Sequence, residues 1–191
     1  MRRALLIVDV QNDFVEGGAL GVEGGNAVAA GLSEYLASDA ARYDMVVASR
    51  DWHESTNDNG GHFAAEGETP DFVDTWPHHC VQGTPGAEYH EALDISKIDV
   101  HVRKGMGIPA YSAFEGETLD GRKLTDVLKE AEITDLDVVG IATDYCVLAS
   151  SLDALQENIK VRILSDYIAG VAPESSVAAL KEVAQAGAEI A

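Results

Sequence analysis

Cysteine and positive charge are scarce in this chain, and no apolar run is long. Two cysteines, Cys80 and Cys146, can form one disulfide at most; in a reducing compartment each is expected to be a free thiol or a ligand. Lysine and arginine number 13 against 33 aspartates and glutamates, a formal charge of −20. Such a surface repels phosphate backbones and anionic lipid, so neither nucleic acid nor a membrane is an expected partner. No stretch is long enough for a transmembrane helix. The opening MRRALLIVDV sets two arginines before an apolar run, as a signal peptide would. That run stops at Asp9 and no small-residue cleavage site follows, so the cytoplasm is the expected compartment. Repeats, low-complexity segments and linkers are absent too, and the 191 residues read as one domain, 1–191.

What the chain does have is a rhythm. ALLIVD (4–9), DMVVAS (44–49) and LDVVGI (136–141) are continuous apolar runs, KIDVHVR (97–103) and KVRILS (160–165) alternate, and AGAEIA (186–191) is a weaker terminal candidate. Between them lie helical stripes: Val28, Leu32 and Leu36; Leu124, Val127, Leu128 and Ala131; Leu148, Leu152, Leu155 and Ile159; Val177, Leu180 and Ala184 behind Pro173, which suits a first helical turn. Strand, helix, strand in this order predicts an α/β fold. It is a three-layer, doubly wound sheet of about six mostly parallel strands with helices on both faces. Residues 51–96 break the rhythm. They are polar, hold both tryptophans and five of the six histidines, and are too long for an ordinary connection.

Ligands of open parallel sheets bind at the carboxyl ends of the strands. There the sequence places Asp9 after the first strand, Asp51 and His53 after the second, Lys104 after the third, and Thr143–Asp144–Tyr145–Cys146 after the fourth. Each has a plain structural reading: Asp9 as a turn former, Lys104 as a solvated loop lysine, Cys146 as a small buried hydrophobe. Helical phase argues against the last, because Cys146 falls roughly 140° from the centre of the Leu148–Ile159 stripe at about 100° per residue. In the first turn of a helix the thiol would also meet free N–H groups that favour a thiolate, an effect of only ~0.3–1 kcal/mol. A neighbouring base must supply the rest; Asp9 can take the proton, and Lys104 can hold Asp9 ionised.

The long segment adds Asp51, His53, His62, His78, His79 and Cys80, a set that suits Zn, Fe(II) or Mn(II) without choosing among them. A polar surface loop with incidental histidines is the alternative. Trp52, Trp76 and Phe14 could wall a flat ring, or pack in the core.

The stretches ALLIVDVQNDFVEGGAL (4–20), SRDWH (49–53) with HF (62–63), TWPHHCVQGTPGAE (75–88), RKGMGIPAYSAFEG (103–116) and VVGIATDYCV (138–147) together resemble the nicotinamidases, the metal-dependent branch of the isochorismatase-like cysteine hydrolases. The resemblance covers nearly the whole chain. It implies a catalytic triad of Cys146, Asp9 and Lys104, and one divalent metal ion, Zn, Fe or Mn, on Asp51, His53, His62 and His79. It further implies a ring pocket of Phe14, Trp76 and Tyr111, and an oxyanion hole from the backbone N–H groups of Ala142 and Cys146, with Ile141–Ala142 cis. The implied activity is hydrolysis of nicotinamide to nicotinate and ammonia through a cysteine thioester, in NAD salvage, with pyrazinamide as a further substrate. The small-molecule substrate is the expected partner, and the chain would act as a monomer or homo-oligomer. The alternatives are another amide or ureide hydrolase of the same superfamily, metal-activated water as nucleophile with Cys146 structural, or a non-catalytic metal- or ligand-binding protein on this scaffold.

Overall fold

The structure, a computed structural model, describes residues 1–39 and 42–191. The apolar runs become the strands of one sheet: β1 (Arg3–Val8), β2 (Met45–Asp51), β3 (Val100–Lys104), β4 (Glu117–Thr118), β5 (Asp135–Ile141), β6 (Lys160–Ala169) and β7 (Glu189–Ile190). Their order is β4-β3-β2-β1-β5-β6-β7. The six expected strands run parallel, and β4 adds a seventh, antiparallel to β3. Two residues are too few to carry a period, so β4 has no signature in the sequence.

Successive β1 side chains feed opposite cores, as the two-residue strand period requires. Leu5 and Ile7 pack with Val28, Leu32 and Leu36 of α1 (Gly25–Asp39). Ala4, Leu6 and Val8 pack on the other face, with Leu124 and Leu128 of α2 (Leu124–Glu130), Ala154 of α3 (Leu148–Gln156) and Val183 of α4 (Pro173–Gln185). Leu5, Leu6 and Ile7 are fully buried, each stabilising the fold by ~1.5–3 kcal/mol before the entropy of ordering is counted.

Two helices sit in a different rotation from the expected one. On α3 the residues turned fully inward are Ser150, Ser151 and Ala154, while Leu148, Leu152 and Leu155 are only half-buried. On α4 they are Ala179 and Val183, with Val177 left exposed. Small side chains let a helix lie close to its neighbours, and the longer ones then flank the contact. Cys146 is itself buried in the same core as Val147 and Ala154, so its helical phase does not set it apart from packing residues.

Residues 52–99 contain no strand of the sheet. Short turns at Pro85–Ala87 and Ile95–Lys97 and isolated bridges pairing His53 with Val81 and Phe63 with Trp76 give them shape. Among the described residues no helix is long and apolar enough to cross a membrane, and Cys80 and Cys146 are both free.

Candidate active site

Strand ends build the floor of the site. β1 closes at Val8, and Asp9 follows with φ of 48°, a left-handed conformation that aspartate tolerates better than most residues. Gly140 on neighbouring β5 makes room for this corner; a Cβ there would stand 2.1 Å from the Val8 carbonyl oxygen. The parallel register of β2 and β3 sets Asp51 beside Lys104. The chain after β5 passes a cis Ile141–Ala142 peptide and enters a π-helical turn, Thr143–Val147, that carries Cys146.

Asp9, Asp51, Lys104 and Cys146 are all buried. The Lys104 ammonium lies 2.9 Å from Asp9 Oδ2, hydrogen-bonds Asp51 Oδ1 and stands 3.6 Å from Cys146 Sγ. Ser49 donates to Asp9 Oδ1 at 2.6 Å. Asp9 Oδ2 is held by the Lys104 ammonium and keeps a lone pair for a further proton. Burial pushes the Asp9 carboxyl up, against the pull of Lys104 and Ser49 and helped by the charge of Asp51. Burial acts on Asp51 in the same sense, but Lys104 and then His53 and His79 outweigh it and hold that carboxyl well below its usual range. Lys104 stays protonated because Asp51 and Asp9 overcome its own desolvation. Burial pushes the Cys146 thiol well above its ordinary range, opposed by Lys104 and reinforced by the two carboxylates. The resting group is therefore a thiol, where the helix-terminus argument pointed to a thiolate. Desolvation outweighs the small contribution of the dipole.

His53, His62 and His79 offer ring nitrogens that all lie within 4.8 Å of one another. His53 Nδ1 donates to Gly105 O at 2.8 Å, and His79 Nδ1 to Pro77 O at 2.7 Å, which leaves each Nε2 free for another partner. The freed Nε2 atoms are 3.5 and 3.7 Å from Asp51 Oδ2. His53 Nε2 and both His62 nitrogens are buried without a hydrogen-bond partner. Burial, then the neighbouring His53 and His79, push the His62 imidazole down to about 3, so it is neutral at working pH. Orphaned imidazole nitrogens converging beside a carboxylate are the donor set a divalent cation requires. His78 is turned away from this cluster, stacked on Phe63 at 4.4 Å.

A cavity of about 410 Å³ opens over both groups, lined by Phe14, Trp76, Tyr111, Ala142 and Cys146 among others. Trp76 is buried, not an exposed loop aromatic; its Nε1 donates to Tyr111 Oη at 3.0 Å. Tyr145, which the sequence reading passed over, meets Trp76 edge-on at 5.2 Å and stacks near Tyr111 at 6.1 Å. Its place beside Cys146 in TDYCV was the available signal. Phe72 also lines the cavity mouth. Trp52 does not reach the site: it points to the other face of β2, with Arg50 and Arg103 stacked on its ring at 4.7 and 4.2 Å. Strand alternation explains this, because Asp51 and His53 face the cavity and the residue between them cannot. Ser49 and Gln11 were also missed, since their partners are distant in sequence. Gln11 brackets Asp51, accepting from its N–H and donating to its carbonyl, both at 2.8 Å.

Fold and site together define a doubly wound α/β protein with a thiol–carboxylate–ammonium floor and an imidazole cluster sharing one cavity. Isochorismatase domain describes the family that matches residues 3–191, and the chain belongs to that family. It is similar to the nicotinamidase/pyrazinamidase of Mycobacterium tuberculosis, 48% identical over 188 residues, covering 98% of this chain and 97% of that protein. Among solved structures it resembles the pyrazinamidase of Pyrococcus horikoshii in complex with zinc, at TM-score 0.84 and 35% identity over 100% of this chain and 99% of that one. PnC1 from L. infantum in complex with nicotinate matches at TM-score 0.84 and 32% identity, over 100% of this chain and 92% of the other.

Proposed function

We propose that this chain is a nicotinamidase, hydrolysing nicotinamide to nicotinate and ammonia for NAD salvage and accepting pyrazinamide as well. The observation that carries the reading is one cavity lined by the buried Cys146 thiol, by Asp51 and by two imidazoles of the three-histidine cluster, with Lys104 and Asp9 directly behind the thiol. All of 1–191 serves as one hydrolase domain, and the two free thiols suit a cytoplasmic protein.

In the proposed reaction Asp9 Oδ2 takes the Cys146 proton as the sulfur attacks the carboxamide carbon. Burial raises the Asp9 carboxyl, which makes it a stronger base than an ordinary carboxylate. The N–H groups of Ala142 and Cys146 receive the developing oxyanion, where one such donor is worth ~2.7–4 kcal/mol. Asp9 then hands its proton to the departing amine, the C–N bond breaks, and ammonia leaves a thioester. Asp9 next deprotonates a water that cleaves the thioester, and the thiol regains its proton as nicotinate leaves. Lys104 keeps the resting Asp9 carboxylate ionised and holds it in place as the proton comes and goes. Phe14, Trp76 and Tyr111 sandwich the ring.

Asp51, His53, His62 and His79 would hold a divalent ion, Zn, Fe or Mn. Such an ion would supply a Lewis-acid contact for the pyridine nitrogen, fixing the ring so that the carboxamide meets the thiol. Purified protein given nicotinamide is expected to release nicotinate and ammonia in equal amounts, and Cys146→Ala to lose that activity by orders of magnitude. No ammonia from the parent, or parent-level turnover by Cys146→Ala, overturns the reading.

A further inference from the structure

His62 differs from its two neighbours. His53 and His79 are each held by a ring hydrogen bond to a carbonyl, whereas neither nitrogen of His62 has a partner. Its ring packs near His53 and His79, at 4.7 and 5.2 Å between centroids; its backbone is held on one side by Trp76 N–H, which donates to His62 O at 2.9 Å, and on the other by the loop that precedes it. That loop, residues 55–61, is exposed except at Asn59, which is fully buried.

Asn59 uses every polar group it has. Oδ1 accepts from the N–H of Glu54 at 2.8 Å and of Gly107 at 3.1 Å. Nδ2 donates to the carbonyls of Glu54 at 3.0 Å and Asn57 at 3.3 Å. Its own N–H reaches Asn57 Oδ1 at 2.8 Å, and its carbonyl accepts from His62 N at 3.4 Å. The residue sits at φ of 51°, where asparagine is favoured over other side chains. Glu54 follows His53, and Gly107 lies two residues beyond the Gly105 carbonyl that orients the His53 ring. One side chain therefore ties the arm carrying His62 to both supports of His53.

We propose that Asn59 is a positioning residue for the three-histidine cluster, setting the reach of His62 to a divalent cation; this rests on the metal reading above. Partners of this kind, one step removed from the ion, change metal affinity by about 10–100-fold when lost.

Two variants test it. Asn59→Asp keeps the shape and both acceptor contacts but loses the two donors. Asn59→Gly keeps the left-handed backbone and loses all four side-chain bonds; it decides the question if Asn59→Asp does not fold. Zinc dissociation constants would be measured by competition with a chromophoric chelator, alongside the melting temperatures of metal-free and zinc-loaded protein, with His53→Ala as reference. Zinc binding weakened about 10–100-fold, with a narrowed gap between loaded and metal-free melting temperatures, is the expected result. A purely structural role would lower both melting temperatures together and leave the gap intact. Parent-like zinc affinity in a folded variant overturns the role of Asn59 while leaving the metal reading standing. A parent that binds no zinc, or binds it as well after His53→Ala, overturns both.

Discussion

Two carboxylates, Asp9 and Asp51, share the single ammonium of Lys104, and all three groups are buried. An ion pair at such a distance is worth on the order of 5 kcal/mol at an effective dielectric near 20, which roughly offsets desolvation costs of several kcal/mol per ion. Removing the cation is different, because two like charges then face each other out of water. Lys104→Met is expected to cost ~3–5 kcal/mol. The sign of its pH dependence follows from the shifts. Lys104 holds Asp51 below its unfolded value, a contribution present above that value, near 3.8, and lost at lower pH. Asp9 already lies above its unfolded value, so its ionisation opposes folding as pH rises, more so without the lysine. Urea unfolding of metal-free protein should show the Lys104→Met deficit largest near pH 7.5 and smaller toward about pH 5. A deficit that stays constant over that range contradicts this account of the floor.

α4 is positioned from outside its own sequence. Asp144, two residues before Cys146, accepts from Val171 N at 2.9 Å, Ala172 N at 3.2 Å and the Ser175 hydroxyl at 2.6 Å. A carboxylate at the open N–H groups of a helix N-terminus acts as a cap supplied by another element. Asp144→Ala should therefore cost about 1 kcal/mol, about 2–4 °C in melting temperature; an unchanged melting curve would show that the cap carries no stability. Such long-range contacts mark the limit of what could be read beforehand. β1, β2 and β5 were legible because apolar runs buried on both faces leave an uninterrupted signature, and β3 and β6 because their residues alternate; strand ends in turn placed Asp9, Asp51, Lys104 and Cys146 on one edge. The rotations of α3 and α4 were not, because leucine spacing overstates large residues where Ser150, Ser151 and Ala179 make the close approach. Asn59, Ser49 and Gln11 were equally opaque, since a polar side chain does not announce which distant backbone it will bond.

At the scale of the whole molecule, the net charge of −20 surrounds a cavity lined mainly by aromatic and aliphatic groups. An uncharged carboxamide enters without long-range repulsion, whereas an anionic carboxylate product is disfavoured by the same field. In the proposed reaction the Cys146 thiol, held protonated by burial, becomes reactive only when a bound substrate and Asp9 act on it together. The most direct test of this account is acid quenching of the protein during its first turnovers of nicotinamide, followed by peptide mapping by mass spectrometry. The account predicts a nicotinoyl group in thioester linkage on the peptide carrying Cys146, formed before free nicotinate accumulates. Nicotinate appearing from the first turnover with no acylated protein at any quench time, or acylation at another residue, would contradict it.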